Sequence, residues 1–116
     1  MKLLDNVYPN GYIWSVYEII KTDEFDKWLR KLRNKRAVAK ILLRIQRIEE
    51  LGNFGDCESV GGEIRELRIH YSKGYRVNLS QQNKTIVLLI NGGTKSSQAR
   101  DIKRAQGILK IYKSQK

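Results

Sequence analysis

The chain has 116 residues, 41% hydrophobic and 30% charged, which suits one folded domain of the usual ~100–150 residues and excludes two domains or a disordered tail. Twenty-three Lys and Arg against 12 Asp and Glu leave a formal charge of +11, an excess that attracts polyanions and points to nucleic acid, an anionic surface or an acidic protein. One cysteine, Cys57, and one histidine, His70, exclude an internal disulfide and a multi-cysteine zinc site, and no run reaches the ~18–20 apolar residues of a membrane span, so a cytoplasmic protein with no membrane association is expected.

Residues 1–15 read as a leader with a turn at Pro9-Asn10-Gly11, and Tyr12–Ile20 reads as a first strand. Thr22 is placed to cap a helix whose first turn carries Asp23, Glu24 and Asp26, and Phe25, Trp28, Leu29 and Leu32 recur on one helical face until about Asn34. A second helix follows at once, with Val38, Ile41, Leu42, Ile45, Ile48 and Leu51 in period and Gly52 as its stop, so an antiparallel helical hairpin is expected. Its other side carries Arg36, Lys40, Arg44 and Arg47, the pattern of a solvated face that also steers polyanions.

Gly52–Asp56 and Gly61-Gly62 bracket a stretch with no period, read as a surface loop. Beyond it the period becomes 2: Leu67, Ile69 and Tyr71 alternate with Glu66, Arg68 and His70, and Tyr75, Val77 and Leu79 with Arg76, Asn78 and Ser80, around a turn at Ser72-Lys73-Gly74. Thr85–Ile90 is almost wholly apolar and reads as a central strand closed by Asn91-Gly92-Gly93. Ser96 or Ser97 is placed to cap a last helix with Ile102, Ala105, Leu109 and Tyr112 on one face. The order β-α-α-β-β-β-α describes an α+β domain over residues 1–116, with an N-terminal strand and helical hairpin packed on an antiparallel sheet and a C-terminal helix.

The chemistry concentrates on the polar face of the strand hairpin. Arg68 and Arg76 share that face, and Lys95 follows the next strand through the Gly-Gly turn. If the three converge, they suit a phosphate whose charge grows in a transition state. On RNA this permits metal-free cleavage, in which a 2′-hydroxyl attacks the adjacent phosphate. The cluster must stay clear of internal ion pairs for that purpose. His70, Tyr71 and Tyr75 offer rings for stacking, although Tyr75 alternates inward toward the core. His70 alone titrates near neutrality, so weak intrinsic cleavage and dependence on a partner that presents the RNA are expected. Cys57 lacks a nearby base and reads as inert. No Walker loop, nucleophile elbow or metal-ligand spacing is present, so neither a metal nor a small-molecule cofactor is expected.

Five stretches occur in one order: Thr22-Asp23-Glu24-Phe25 with Trp28-Leu29 and Leu32-Arg33; Leu51-Gly52-Asn53-Phe54-Gly55-Asp56; Glu66-Leu67-Arg68-Ile69; Gly74-Tyr75-Arg76-Val77; and Gly92-Gly93-Thr94-Lys95 running on through Ser96-Ser97-Gln98-Ala99-Arg100 to Asp101-Ile102. From about Glu18 to Tyr112 the chain thereby resembles the RelE/ParE superfamily of type II toxins, in particular its HigB-like addiction-module killer branch. The resemblance implies a cytoplasmic toxin that cleaves mRNA on the ribosome, inhibits translation and is silenced by a cognate antitoxin. It implies Arg68, Arg76 and Lys95 as the catalytic cations. Lys73, Gln98 and Arg100 join His70 and Tyr71 as nucleic-acid-binding candidates. Two departures stand out: Asn78 occupies a position where the family often has an aromatic residue, and the leader extends beyond the usual start. A ParE-like DNA gyrase inhibitor and a noncatalytic nucleic-acid-binding protein are the alternatives, because one fold hosts several activities.

Overall fold

The structure is a computed structural model that describes residues 15–115. The leader, except Ser15, and the expected strand start at Tyr12 lie outside the described residues. The first strand, β1, spans Glu18–Lys21. Next to it the Thr22 hydroxyl accepts the Phe25 N–H at 3.0 Å and donates to the Ile90 carbonyl at 2.5 Å. One side chain thus caps helix α1, Asp23–Lys31, and ties it to the sheet.

Three residues later Asn34 caps helix α2, Lys35–Leu51, by accepting the Ala37 N–H at 3.0 Å. Gly52 ends it in the left-handed region at φ 67°, where a side chain would be strained. Ala37, Ile41, Ile45 and Ile48 form its buried stripe, whereas Leu42 and Leu51, expected inside, are exposed. The remaining elements are β2 (Cys57–Gly61), β3 (Ile64–Ile69), β4 (Tyr75–Gln81), β5 (Ile86–Thr94), a 3₁₀ turn over Lys95–Ser97 and helix α3 (Gln98–Ser114).

The protein is therefore α+β, with three corrections to the expected architecture. The stretch read as a loop contains an edge strand, β2, paired with β3 and interrupted by a register shift between Ser59 and Gly61. The sheet, ordered β1-β5-β4-β3-β2, is mixed and not antiparallel throughout, because β1 runs parallel to β5. Asn91-Gly92-Gly93 does not close the strand but continues it to Thr94. As expected, Val87 to Ile90 are fully buried, although β4, not β5, is the middle strand.

The two sheet faces bury different helices. Leu67, Ile69, Tyr75, Val77, Leu79, Val87 and Leu89 pack with Phe25 of α1 and the α2 stripe. Ile64, Leu88 and Ile90 pack with Ala105 and Leu109 of α3 on the other face. Two glycines in β5 admit the helices. A Cβ on Gly92 would lie 2.4 Å from the Trp28 ring, and one on Gly93 would lie 1.8 Å from the Asp101 carboxylate. No helix among the described residues is long and apolar enough to cross a membrane.

Candidate nucleic-acid interface

The α3-side face is apolar at Ile64, Leu88 and Ile90 and polar at Glu66, Arg68 and Arg76, where the candidate site lies. In the β3–β4 register Arg68 stands directly opposite Arg76, and Glu66 opposite Asn78. Like charges across a strand pair repel, and Glu66 relieves that repulsion from the position diagonal to Arg76. Its Oε1 accepts the Arg68 Nε–H at 2.9 Å, the Arg76 Nη1–H at 3.1 Å and the Gln98 Nε2–H at 3.0 Å. Gln98 comes from the first residue of α3, so the helix start closes over the strands. Glu66 is 1% exposed, the side chain of Arg76 12% and that of Arg68 25%. Arg68 also reaches Glu58 on β2 at 3.2 Å. The hydrogen bond to Glu66 raises the Arg68 guanidinium above its ordinary value.

A second buried polar network adjoins this cluster. Asn78 Nδ2–H donates to Asn91 Oδ1 at 2.9 Å, and Asn91 Nδ2–H to the Asp101 carbonyl at 3.0 Å. The Ser97 hydroxyl donates to the Asp101 carboxylate at 2.5 Å and accepts the Thr94 N–H at 3.3 Å. Asn78, at the position where an aromatic residue was missed, is therefore not a solvent-facing gap but a buried strand-to-strand link. Buried and without a hydrogen-bond partner are Arg76 Nε and Asn78 Oδ1.

Arg68, Arg76 and Gln98 thus come together, but the two arginines are not free cations. Both arginines are held in ion pairs with Glu66, the arrangement that the sequence reading required to be absent. The physical reason is the burial of their strand face under the start of α3, where an unpaired guanidinium costs far more than in water. Lys95 does not join them. It is exposed in the 3₁₀ turn, with its Cβ 3.4 Å from where a Cβ on Gly74 would stand. Arg100 is exposed in the first turn of α3. Among the described residues neither makes an ion pair.

His70 and Tyr71 belong to a different place. His70 Nε2 bonds the Asp56 carboxylate, and this bond holds the Asp56 carboxyl below its ordinary value. Both residues line a groove of about 210 Å³ with Lys40, Leu43, Arg44 and Arg47 of α2. Lys40 lies over the Tyr71 ring at 5.1 Å. Arg44, expected on a solvated stripe, instead donates to the carbonyls of Arg68, Phe54 and Asp56 at 2.5, 2.9 and 3.1 Å, which fixes the connection ahead of β2. Burial lowers the pKa of its guanidinium, against an opposing pull from Asp56. Burial pushes the thiol of half-buried Cys57 up, consistent with an inert cysteine. Lys73 lines a second concavity, of about 370 Å³, between the α1–α2 connection and the β3–β4 turn.

Sequence reasoning missed Glu66 and Asn91 as organising groups. A carboxylate two residues before Arg68, on the same face as Arg76, was the available signal for Glu66.

The sequence matches no family model. It is 53% identical over 89 residues, which cover 77% of this chain and 89% of the relative, to an uncharacterized protein of Haemophilus influenzae (strain Rd). That extent of identity places the chain in one family with the Haemophilus influenzae protein.

Proposed function

We propose that this protein is a RelE-like toxin that cuts mRNA on the ribosome, with Arg68 and Arg76 facing the reacting phosphate and Glu66 and Gln98 as the residues that position them. The observation that carries this reading is the shared carboxylate. One buried carboxylate holds two guanidiniums side by side, and Glu58 on the edge strand makes a second ion pair with Arg68 at 3.2 Å. A guanidinium has five N–H donors, of which Arg76 directs one to Glu66. Fixed donors of this kind stabilise developing phosphorane charge without reorganising at the moment of reaction.

In the proposed step the 2′-oxygen attacks phosphorus and the 5′-oxygen leaves, which yields a 2′,3′-cyclic phosphate and a 5′-hydroxyl. The cluster supplies charge: among the described residues no imidazole bonds Arg68, Arg76 or Glu66, and His70 bonds Asp56 in the groove beside α2. Proton transfer then depends on the ribosome that presents the message. The RelE-like reading of the topology rests on the motif resemblance, with edge strand β2 added to the expected β-α-α-β-β-β-α order. The excess of +11 suits an antitoxin that covers the toxin with an acidic segment.

One observation favours a second reading. The ion pairs of Arg68 and Arg76 and the low exposure of Arg76 also suit a protein that binds RNA without cutting it. Inducible expression with mapping of RNA 5′ ends, in wild type and Arg76→Ala, separates the readings. New message ends and growth arrest that both vanish in Arg76→Ala support cleavage. Arrest with intact mRNA refutes it, and damaged DNA beside intact mRNA selects gyrase poisoning.

A further inference from the structure

The guanidiniums of Arg68 and Arg76 are paired with Glu66 and the His70 ring bonds Asp56, and a cluster of cations without carboxylate partners among the described residues lies elsewhere. The concavity between the α1–α2 connection and the β3–β4 turn is lined by Lys31, Arg33, Lys73, Ser72, Tyr75 and Thr94, together with Leu32 and Asn34. No acidic residue lines it, and among the described residues Lys31, Arg33 and Lys73 have no carboxylate partner. Its volume of about 370 Å³ lies at the low end of the ~300–1,000 Å³ that takes a small ligand or one unit of a polymer.

The position of this groove relative to the arginine cluster is the second argument. Tyr75 pairs with Thr94, and the next rung pairs Arg76 with Gly93. The groove and the cluster are thus on opposite faces of the same strand ends, one rung apart. Lys95, which follows Thr94 and stands beside Gly74, sits at the edge between them. A polyanion that leaves Arg68 and Arg76 and rounds the strand ends meets Lys95, then Lys73, then Arg33 and Lys31. The lining combines cations, hydroxyls and one amide, which are donors suited to phosphodiester oxygens.

From this geometry we infer that the groove of Lys31, Arg33 and Lys73 binds the phosphodiester backbone of single-stranded RNA outside the reacting phosphate, with Lys95 as the bridge. The inference rests on RNA as the ligand and deepens the reading above, but it does not depend on cleavage. Its test uses a labelled 2′-O-methyl RNA strand, which lacks the attacking hydroxyl, so that binding is read whether or not the protein cuts.

Single-strand binding falls by ~0.7 log units per phosphate contact for each tenfold rise in salt. Loss of three contacts in Lys31→Ala/Arg33→Ala/Lys73→Ala should therefore flatten the log–log slope by about 2 and weaken binding about 100-fold at 0.1 M salt, with the curves meeting near 1 M. The exposed Lys73→Gln alone should weaken it about 5-fold by the same relation, which keeps the test readable if the triple variant folds poorly. A charge-matched variant away from the groove, Lys84→Ala/Lys103→Ala/Lys110→Ala, should retain most of the affinity and slope.

Equal weakening in both triple variants, unchanged binding in the groove variants, or no binding by the wild type would each overturn the inference. Competition by polyglutamate as strong as by RNA would also overturn it, in favour of an acidic protein segment. Message cleavage on ribosomes that persists in a groove variant with unchanged RNA affinity refutes the groove alone; a groove effect on binding with no cleavage refutes the nuclease alone.

Discussion

Glu66→Gln is the sharpest single perturbation of the polar cluster, because it keeps the shape and an oxygen acceptor while it removes the charge. Three donors converge on Glu66 Oε1 at 2.9–3.1 Å. A hydrogen bond to a charged group contributes ~1.5–3 kcal/mol against ~0.5–1.5 for a neutral one, so the Gln98 bond loses about 1 kcal/mol, while the two arginine bonds stay charge-assisted and lose their ion-pair attraction instead. The opposed Arg68 and Arg76 then repel with Glu58, on the Arg68 side, as the remaining counter-charge, while the 25% exposure of Arg68 lets water recover part of the loss. The expected net destabilisation is about 2–3 kcal/mol, or roughly 10 °C in Tm for a domain of this size. Urea denaturation and thermal melting at neutral pH measure it. In an Arg76→Met background the same change should cost about 1 kcal/mol less, since neighbours in one network are not additive. A loss below about 0.5 kcal/mol, or strict additivity with Arg76→Met, would show that the shared carboxylate does not organise the site.

Other outcomes follow from the same geometry. Asp56 titrates lower in the folded protein than unfolded because His70 bonds it, so its contribution to stability is full well above its ordinary value of 3.8 and is lost as pH falls through the lower folded value. His70→Ala should raise the Asp56 carboxyl pKa in an NMR titration and remove that part of the acid sensitivity; an unmoved titration would disprove the pairing. Gly93→Ala puts a methyl group within 1.8 Å of the Asp101 carboxylate, and overpacking of this kind should destabilise by ~1–3 kcal/mol, which a denaturant midpoint reads directly. Burial raises the Cys57 thiol, so alkylation at neutral pH should be slower than for a free cysteine and should accelerate on unfolding.

Local signals made much of the fold legible. Thr22 with its acidic first turn marked α1, Gly52 marked the end of α2, and the alternation around Ser72-Lys73-Gly74 gave β3 and β4. What escaped was set by contacts distant in sequence. β1 pairs in parallel with β5 across most of the chain, and parallel pairing leaves no turn to read. Strand β2 is an edge with a register shift, so Cys57–Gly61 shows no alternation. Gly92 and Gly93 read as a turn, whereas their lack of side chains serves helix approach inside a strand.

The candidate site was legible as a set of residues and not as an arrangement. Alternation placed Arg68 and Arg76 on one face, as observed. The same alternation made Glu66 look like a solvated partner, and only the start of α3, through Gln98, buries it. His70, close in sequence to Arg68, is carried to the α2 side by its bond with Asp56. The Lys31, Arg33 and Lys73 groove combines residues 31–34 with Ser72, Lys73, Tyr75 and Thr94, a proximity that no local pattern encodes.

In the proposed reaction the guanidinium pair held by Glu66 promotes attack by a 2′-hydroxyl on the message. The most direct measurement is the chemistry of the ends produced when purified protein meets a defined message on translating ribosomes. Fragments with 2′,3′-cyclic phosphate and 5′-hydroxyl ends are expected, formed by wild type and reduced at least ~100-fold in Arg76→Ala, the scale expected when a preorganised charge stabiliser is removed. Intact message, or cleavage by Arg76→Ala at the wild-type rate, would contradict that reaction.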